Sequence, residues 1–148
     1  ELNASGETVW QHQLEKTDRP FTAIRLENGN TLVPCITSNR MIEISPGGDI
    51  VWELTNEDDL GFEIWYPVGA HVLKNGNVVV INSDYHHREG TKNDVQAFEI
   101  TRDKKVIWTL KKSDLERGGK VPVVERGTKM PSHHLLGIQV LGESFLLK

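Results

Sequence analysis

Six histidines stand in a chain of 148 residues, and histidine is the side chain best suited to move protons or hold a metal near neutral pH. His86 and His87 follow Asp84 and Tyr85. Asp84, His86 and His87 form a candidate metal set, because imidazole suits zinc, copper, nickel or iron and a carboxylate suits harder divalent ions. Neighbours on an extended segment point to opposite sides, so one imidazole of the pair would ligate. His71, His133 and His134 form the candidate catalytic set. A second constellation is aromatic and basic: Trp65, Tyr66 and Tyr85 with Arg88, Arg117, Arg126 and Lys129. Aromatic planes flanked by cations suit sugars and carboxylated or sulfated ligands, through ring stacking and bidentate guanidinium contacts. Cys35 is the single cysteine. It allows no internal disulfide and no thiolate cluster, and after Pro34 at a strand end it reads as a packing residue. The sequence has no Gly-x-Ser-x-Gly elbow, no phosphate-binding glycine loop and no His-Glu-x-x-His.

The elements that must position these residues are constrained first by composition. Apolar residues make up 37% and charged ones 26%, which fits one globular domain. A formal net charge of −4 disfavours a general polyphosphate surface, so nucleic acid is not an expected partner. The longest apolar run, Val78 to Ile81, is far short of the roughly 20 residues a membrane helix needs. The chain begins with Glu1 and shows no signal peptide, so it is expected to be a processed, trimmed or partial product.

A repeat organises the rest. Trp10, Trp52 and Trp108 are each preceded by Val9, Val51 or Ile107, and each stands eight residues after Leu2, Ile44 or Ile100, themselves preceded by Glu1, Glu43 and Glu99. Short turn-forming stretches lie between, which predicts strand, turn, strand. Ahead of the second and third copies stand Leu26-Glu27-Asn28-Gly29-Asn30 and Leu73-Lys74-Asn75-Gly76-Asn77. Asn-Gly between apolar runs predicts a hairpin with a type I′ turn. Joined, the signatures give four-strand units a to d at 22–54 and 70–110, a half unit c-d at 1–14 and a half unit a-b at 134–148. Four-stranded antiparallel units at this spacing predict an all-β fold, a β-propeller of about three blades.

The segments "ISPGGDIVWEL", "ITRDKKVIWTL" and "ASGETVWQHQL" resemble the blade motif of quinoprotein-dehydrogenase-like (PQQ-like) propellers, and "RLENGNTLV" and "VLKNGNVVV" are similar to hairpins of that superfamily and of arylsulfotransferase-type propellers. The resemblance implies a propeller whose tryptophans dock one blade on the next. It also implies that a channel histidine of the His71 type could accept a sulfuryl group. The place corresponding to His71 is Ile24 in the first unit and Gln139 in the last.

Three blades do not close a ring, which usually takes four to eight. The expectation is half of a six-bladed ring completed by a homodimer, or a longer chain whose other blades are absent. Long b-c and d-a segments at 56–69, 83–94 and 111–132 should gather on one face, where binding usually lives. The expected function is a propeller-type binding or scaffold module for a carbohydrate, an anionic small molecule or a protein, with Trp65, Tyr66, Tyr85, Arg88, Lys129 and Gln139 as ligand-binding residues. The alternative is a sulfotransferase, polysaccharide lyase or hydrolase using the channel-mouth histidines. No cofactor is required, a divalent metal is allowed, and the expected location is secreted or periplasmic.

Overall fold

The structure is a computed structural model that describes residues 1–83 and 94–117, with side chains through Asp114. Two four-stranded antiparallel sheets follow one another along the chain. The first contains β1 (Ile24–Arg25), β2 (Thr31–Cys35), β3 (Arg40–Ile44) and β4 (Ile50–Leu54); the second contains β5 (Pro67–Val72), β6 (Val78–Asn82), β7 (Val95–Ile100) and β8 (Val106–Lys111). Each sheet is a meander in simple order. A short helix, α1 (Lys112–Arg117), follows β8 where the sequence predicts only a connection. Pairing begins earlier than the sequence pattern suggests: an isolated bridge joins Pro20 to Cys35 ahead of β1, and β5 opens on Pro67, which pairs with Asn82.

The hairpin chemistry differs from expectation in one respect. Gly29 and Gly76 have φ of 86° and 87°, while Asn28 and Asn75 do not adopt positive φ. The loops therefore have three residues and a single left-handed glycine, not a type I′ turn. The asparagine side chain is the reason: Asn28 Oδ1 accepts from the Asn30 amide, and Asn75 Oδ1 from the Asn77 amide, each at 3.0 Å, which holds the asparagine backbone short of the left-handed region. The c-d turns use the same construction. Lys104, with φ of 66°, stands where the other turns place Gly6 and Gly48, and its ammonium is held 2.8 Å from Asp58.

Alternation along the strands gives each sheet two buried faces. Leu32, Met41 and Leu54 of the first sheet share one core with Val78, Val80, Phe98 and Ile100 of the second. Val33, Cys35, Ile42 and Ile44 on the other face of the first sheet pack with Trp10 and Leu14. The chain start thus covers one face and the second sheet covers the other. Glu1 to Trp10 forms a turn closed by a bridge between Leu2 and Thr8, and residues 9–16 form no regular strand.

Trp10 and Trp52 are half-buried where one unit meets the next. Trp10 Nε1 donates to the Pro46 carbonyl at 3.1 Å, and Trp52 Nε1 donates to the Arg102 carbonyl at 2.9 Å. Pro46 and Arg102 each stand six residues before the next tryptophan, so each indole docks on the equivalent c-d turn of the following unit. A second tie joins the start of the chain to the first sheet: Arg40 donates to both oxygens of buried Asp18, at 3.0 and 2.6 Å, and Ser38 donates to it at 2.5 Å. Burial alone would raise the Asp18 pKa. Hydrogen bonds from Arg40 and Ser38, with the Arg40 charge, outweigh it and hold the carboxyl below the usual aspartate range. A depressed folded-state pKa means the stabilisation is complete above the unfolded-state value near 3.8 and is lost as pH falls through the folded value. Acid unfolding followed by circular dichroism should therefore show a limb below about pH 4 that flattens in Asp18→Asn; an unchanged limb would show that Asp18 carries none of it.

Candidate functional site

Strands β1 and β5, the a strands of the two units, run beside a cleft of about 520 Å³. Its wall comes from Ile24, Arg25, Leu26, Glu27 and Asn28 on one side and from Ala70, His71, Val72, Leu73, Lys74 and Gly76 on the other, with Arg102. Among the described residues, the wall carries three permanent cations, Arg25, Lys74 and Arg102, one imidazole, His71, and one carboxylate, Glu27. The volume lies in the range of small-molecule pockets.

The repeat makes this composition informative. Matching the units by their Asn-Gly turns pairs Leu26 with Leu73, Asn28 with Asn75 and Gly29 with Gly76, so the turn scaffold is kept. The chemistry-bearing positions are not kept: Ile24 answers to His71, Arg25 to Val72, Glu27 to Lys74, and Pro46 to Arg102. A purely structural repeat gives no reason for the changes to fall together around one cleft.

The two arginines are placed by matching arrangements, Arg25 from strand β1 and Arg102 from the turn between β7 and β8. Arg25 pairs with Glu1, donates to the Gly29 carbonyl at 2.6 Å, and lies 4.7 Å from the Trp10 ring centroid. Arg102 pairs with Glu43 at 2.5 Å, donates to the Gly76 carbonyl at 3.1 Å, and lies 5.2 Å from the Trp52 ring centroid. Each guanidinium therefore joins the glutamate and tryptophan of one unit to the Asn-Gly turn of the next, and also forms cleft wall. Stacking and ion pairing fix the planes of both groups.

His71 is the fifth of six residues in β5 and is exposed. This corrects its expected place. The sequence puts it near the start of strand a, on the face of the long loops, but Pro67, Val68 and Gly69 also belong to the strand and carry His71 to the Asn-Gly end. Trp65 and Tyr66 precede the other end, roughly 16 Å away at about 3.3 Å per residue. There the Trp65 amide donates to Asn82 Oδ1 at 2.7 Å and the Tyr66 amide to Asn39 Oδ1 at 3.0 Å, and Tyr66 has a φ of 47°. His71 and the Trp65–Tyr66 pair therefore belong to opposite ends of the sheet. His133, His134, Tyr85, Arg88, Lys129, Gln139, Asp84, His86 and His87 lie outside the described residues, as does the expected a-b half unit at 134–148.

Among the described residues no group of three or more His, Cys, Asp or Glu could hold a metal ion, and no helix is long and apolar enough to cross a membrane. Cys35 is buried, and burial, with the nearby Asp18 charge, pushes its thiol up to about 12, which makes it a packing residue. Arg25 and Arg102 line the cleft, and sequence reasoning passed over both. Their signal was present as departures from the repeat at positions whose counterparts are Val72 and Pro46.

No family model matches the chain, and no curated protein matches it. Among solved structures the chain is similar to a protein of unknown function from Bacteroides caccae, with a TM-score of 0.60 and 27% sequence identity. The likeness covers 68% of this chain and 38% of that one, so the present chain spans well under half the length of that protein.

Proposed function

We propose that the chain is a segment of a β-propeller that serves as a binding module, and that the cleft between its two a strands receives an anionic small molecule. Three features support the propeller reading: two consecutive four-stranded meanders, a shared core between them, and indoles that dock each unit on the next. Two units do not close a ring, so further units would complete it, from a second copy or from the same polypeptide. The observation that carries the ligand reading is the gathering of Arg25, His71, Lys74 and Arg102 around one cleft, at positions where the repeat is not kept.

Amide chemical shifts measured during titration with small carboxylates and with carboxylated oligosaccharides test this reading. Saturable shifts are expected in 24–28 and 70–74, with affinity falling as salt rises. Lys74→Glu should weaken binding about tenfold or more, since a cation contact to a carboxylate contributes about 1.5–3 kcal/mol. Shifts confined to the Trp65–Tyr66 end, or equal binding of a neutral sugar, would refute the assignment.

A further inference from the structure

The joints between units repeat closely enough to show where a further joint stands open, given the propeller reading of the fold. Ile44 and Ile100 hold the same place in their units, one residue after the glutamate and eight before the tryptophan. Each is closed against the unit before it. Ile44, 1% exposed, clusters with Trp10 and Leu14 of the chain start, and Ile100, 0% exposed, clusters with Leu32, Met41 and Leu54 of the first sheet. Leu2 holds that place in the N-terminal turn and is 64% exposed. Val9 is exposed too, but so are its counterparts Val51 and Ile107, so exposure there belongs to the rim of each unit. The indole joint is open beside Leu2. Pro46 and Arg102, each six residues before a tryptophan, accept the indoles of the preceding units. Ala4 stands six residues before Trp10, and among the described residues no donor reaches its carbonyl.

The opposite half of such a joint lies on the far side of the second sheet. Across β7 and β8, Glu99 pairs with Trp108 and Ala97 with Leu110. These four share the side turned away from Phe98 and Ile100, whose cluster includes the first sheet. Leu54, two residues after its tryptophan as Leu110 is, is fully buried, whereas Leu110 is half-buried. Trp108 donates to Glu99 of its own unit, while Trp10 and Trp52 donate to the following one.

We propose that a second copy of this chain closes both halves. Its second sheet packs over Leu2 of the first copy, and its Trp108 indole is brought to the Ala4 carbonyl as Trp10 and Trp52 are brought to theirs. One chain carries both halves, and they are unlike surfaces, so the contact is head to tail. A two-fold axis makes it twice and closes the ring. Burial of Leu2 and Leu110 supplies attraction, and the main-chain acceptor sets the register.

Sedimentation velocity of the whole chain across the micromolar range should show a concentration-dependent species of twice the 16.7 kDa of one chain. Leu2→Asp and Leu110→Asp each put a charge into the joint and should raise the dissociation constant about tenfold or more, while Val9→Asp, on the rim, should leave it unchanged. A mixture of the Leu2→Asp and Leu110→Asp proteins should associate more tightly than either alone, because their heterodimer keeps one joint with both native halves. Leu110→Gln replaces Leu110→Asp if circular dichroism shows the latter unfolded. No gain on mixing would overturn the head-to-tail contact, as would a dimer that Leu2→Asp does not weaken. A folded monomer at every concentration would overturn the second copy and assign the seat to another unit of a longer polypeptide. In that case the propeller reading stands if hydrogen exchange finds the Trp10 and Trp52 indole N–H groups protected, and falls as well if they exchange freely.

Discussion

Replacing Arg102 by alanine should lower the free energy of unfolding by about 1–3 kcal/mol, because it leaves the nearly buried Glu43 carboxylate without its charge partner while the Arg102 side chain itself is 35% exposed. Glu43 is only 4% exposed, and Arg102 is the cation that compensates it. Without the guanidinium, the Asn30 side-chain amide, which donates to Glu43 Oε1 at 2.6 Å, would still contact that carboxylate, and a neutral donor does not replace a charge. The Trp52 ring would lose its cation as well. Much of the loss arises from leaving Glu43 buried and uncompensated, so Glu43→Gln in the Arg102→Ala background should recover a large part of it. Arg102→Lys should fall between, because an ammonium keeps the charge but cannot reproduce the planar fork and the stack. Urea denaturation read by tryptophan fluorescence measures all four proteins. A loss below about 0.5 kcal/mol for Arg102→Ala would mean that the pair behaves as a solvated surface contact.

Phe98→Ala should cost about 3–5 kcal/mol, the range for deleting a fully buried aromatic side chain. Phe98 is 0% exposed, and its ring lies 4.8 Å from that of Phe62 at a 58° tilt. The residue sits in β7, yet its cluster includes Leu32, Met41 and Leu54 of the first sheet. The void would therefore open between the sheets, and amide exchange should accelerate in β2 and β3 as well as in β6 and β7. Faster exchange confined to the second sheet would show that the sheets fold as independent units. Phe98→Leu, which keeps more of the volume, should be milder in both readouts.

The sequence made the two meanders legible because the glutamate, the tryptophan and the Asn-Gly turn each recur at fixed offsets, and each has a bonding role that the structure repeats. Asn30 reaches Glu43 at 2.6 Å as Asn77 reaches Glu99 at 2.7 Å. The turn type was not legible. Asn-Gly permits two left-handed residues, and only the side-chain bond of Asn28 to the amide two residues on decides for one. The cleft was half legible. His71 stood out as a polar residue at an apolar place in the repeat, but its end of the sheet depended on where β5 begins. Pro67 is compatible with a strand start as well as with a loop, so the pattern alone could not place it. Arg25 and Arg102 were hidden for a different reason: strand position and turn position converge on the same job only in three dimensions.

The acceptor for each docked indole is a main-chain oxygen, belonging to Pro46 at one junction and to Arg102 at the other. A carbonyl is present whatever side chain the residue bears, so the joint places little selective demand on residue identity at that point. Gene duplication can thus copy a unit with its joint already competent, and later drift at the acceptor position need not break the array. Position 102 illustrates the freedom this leaves: the same residue that receives an indole through its backbone has a side chain that was available for recruitment to a new task.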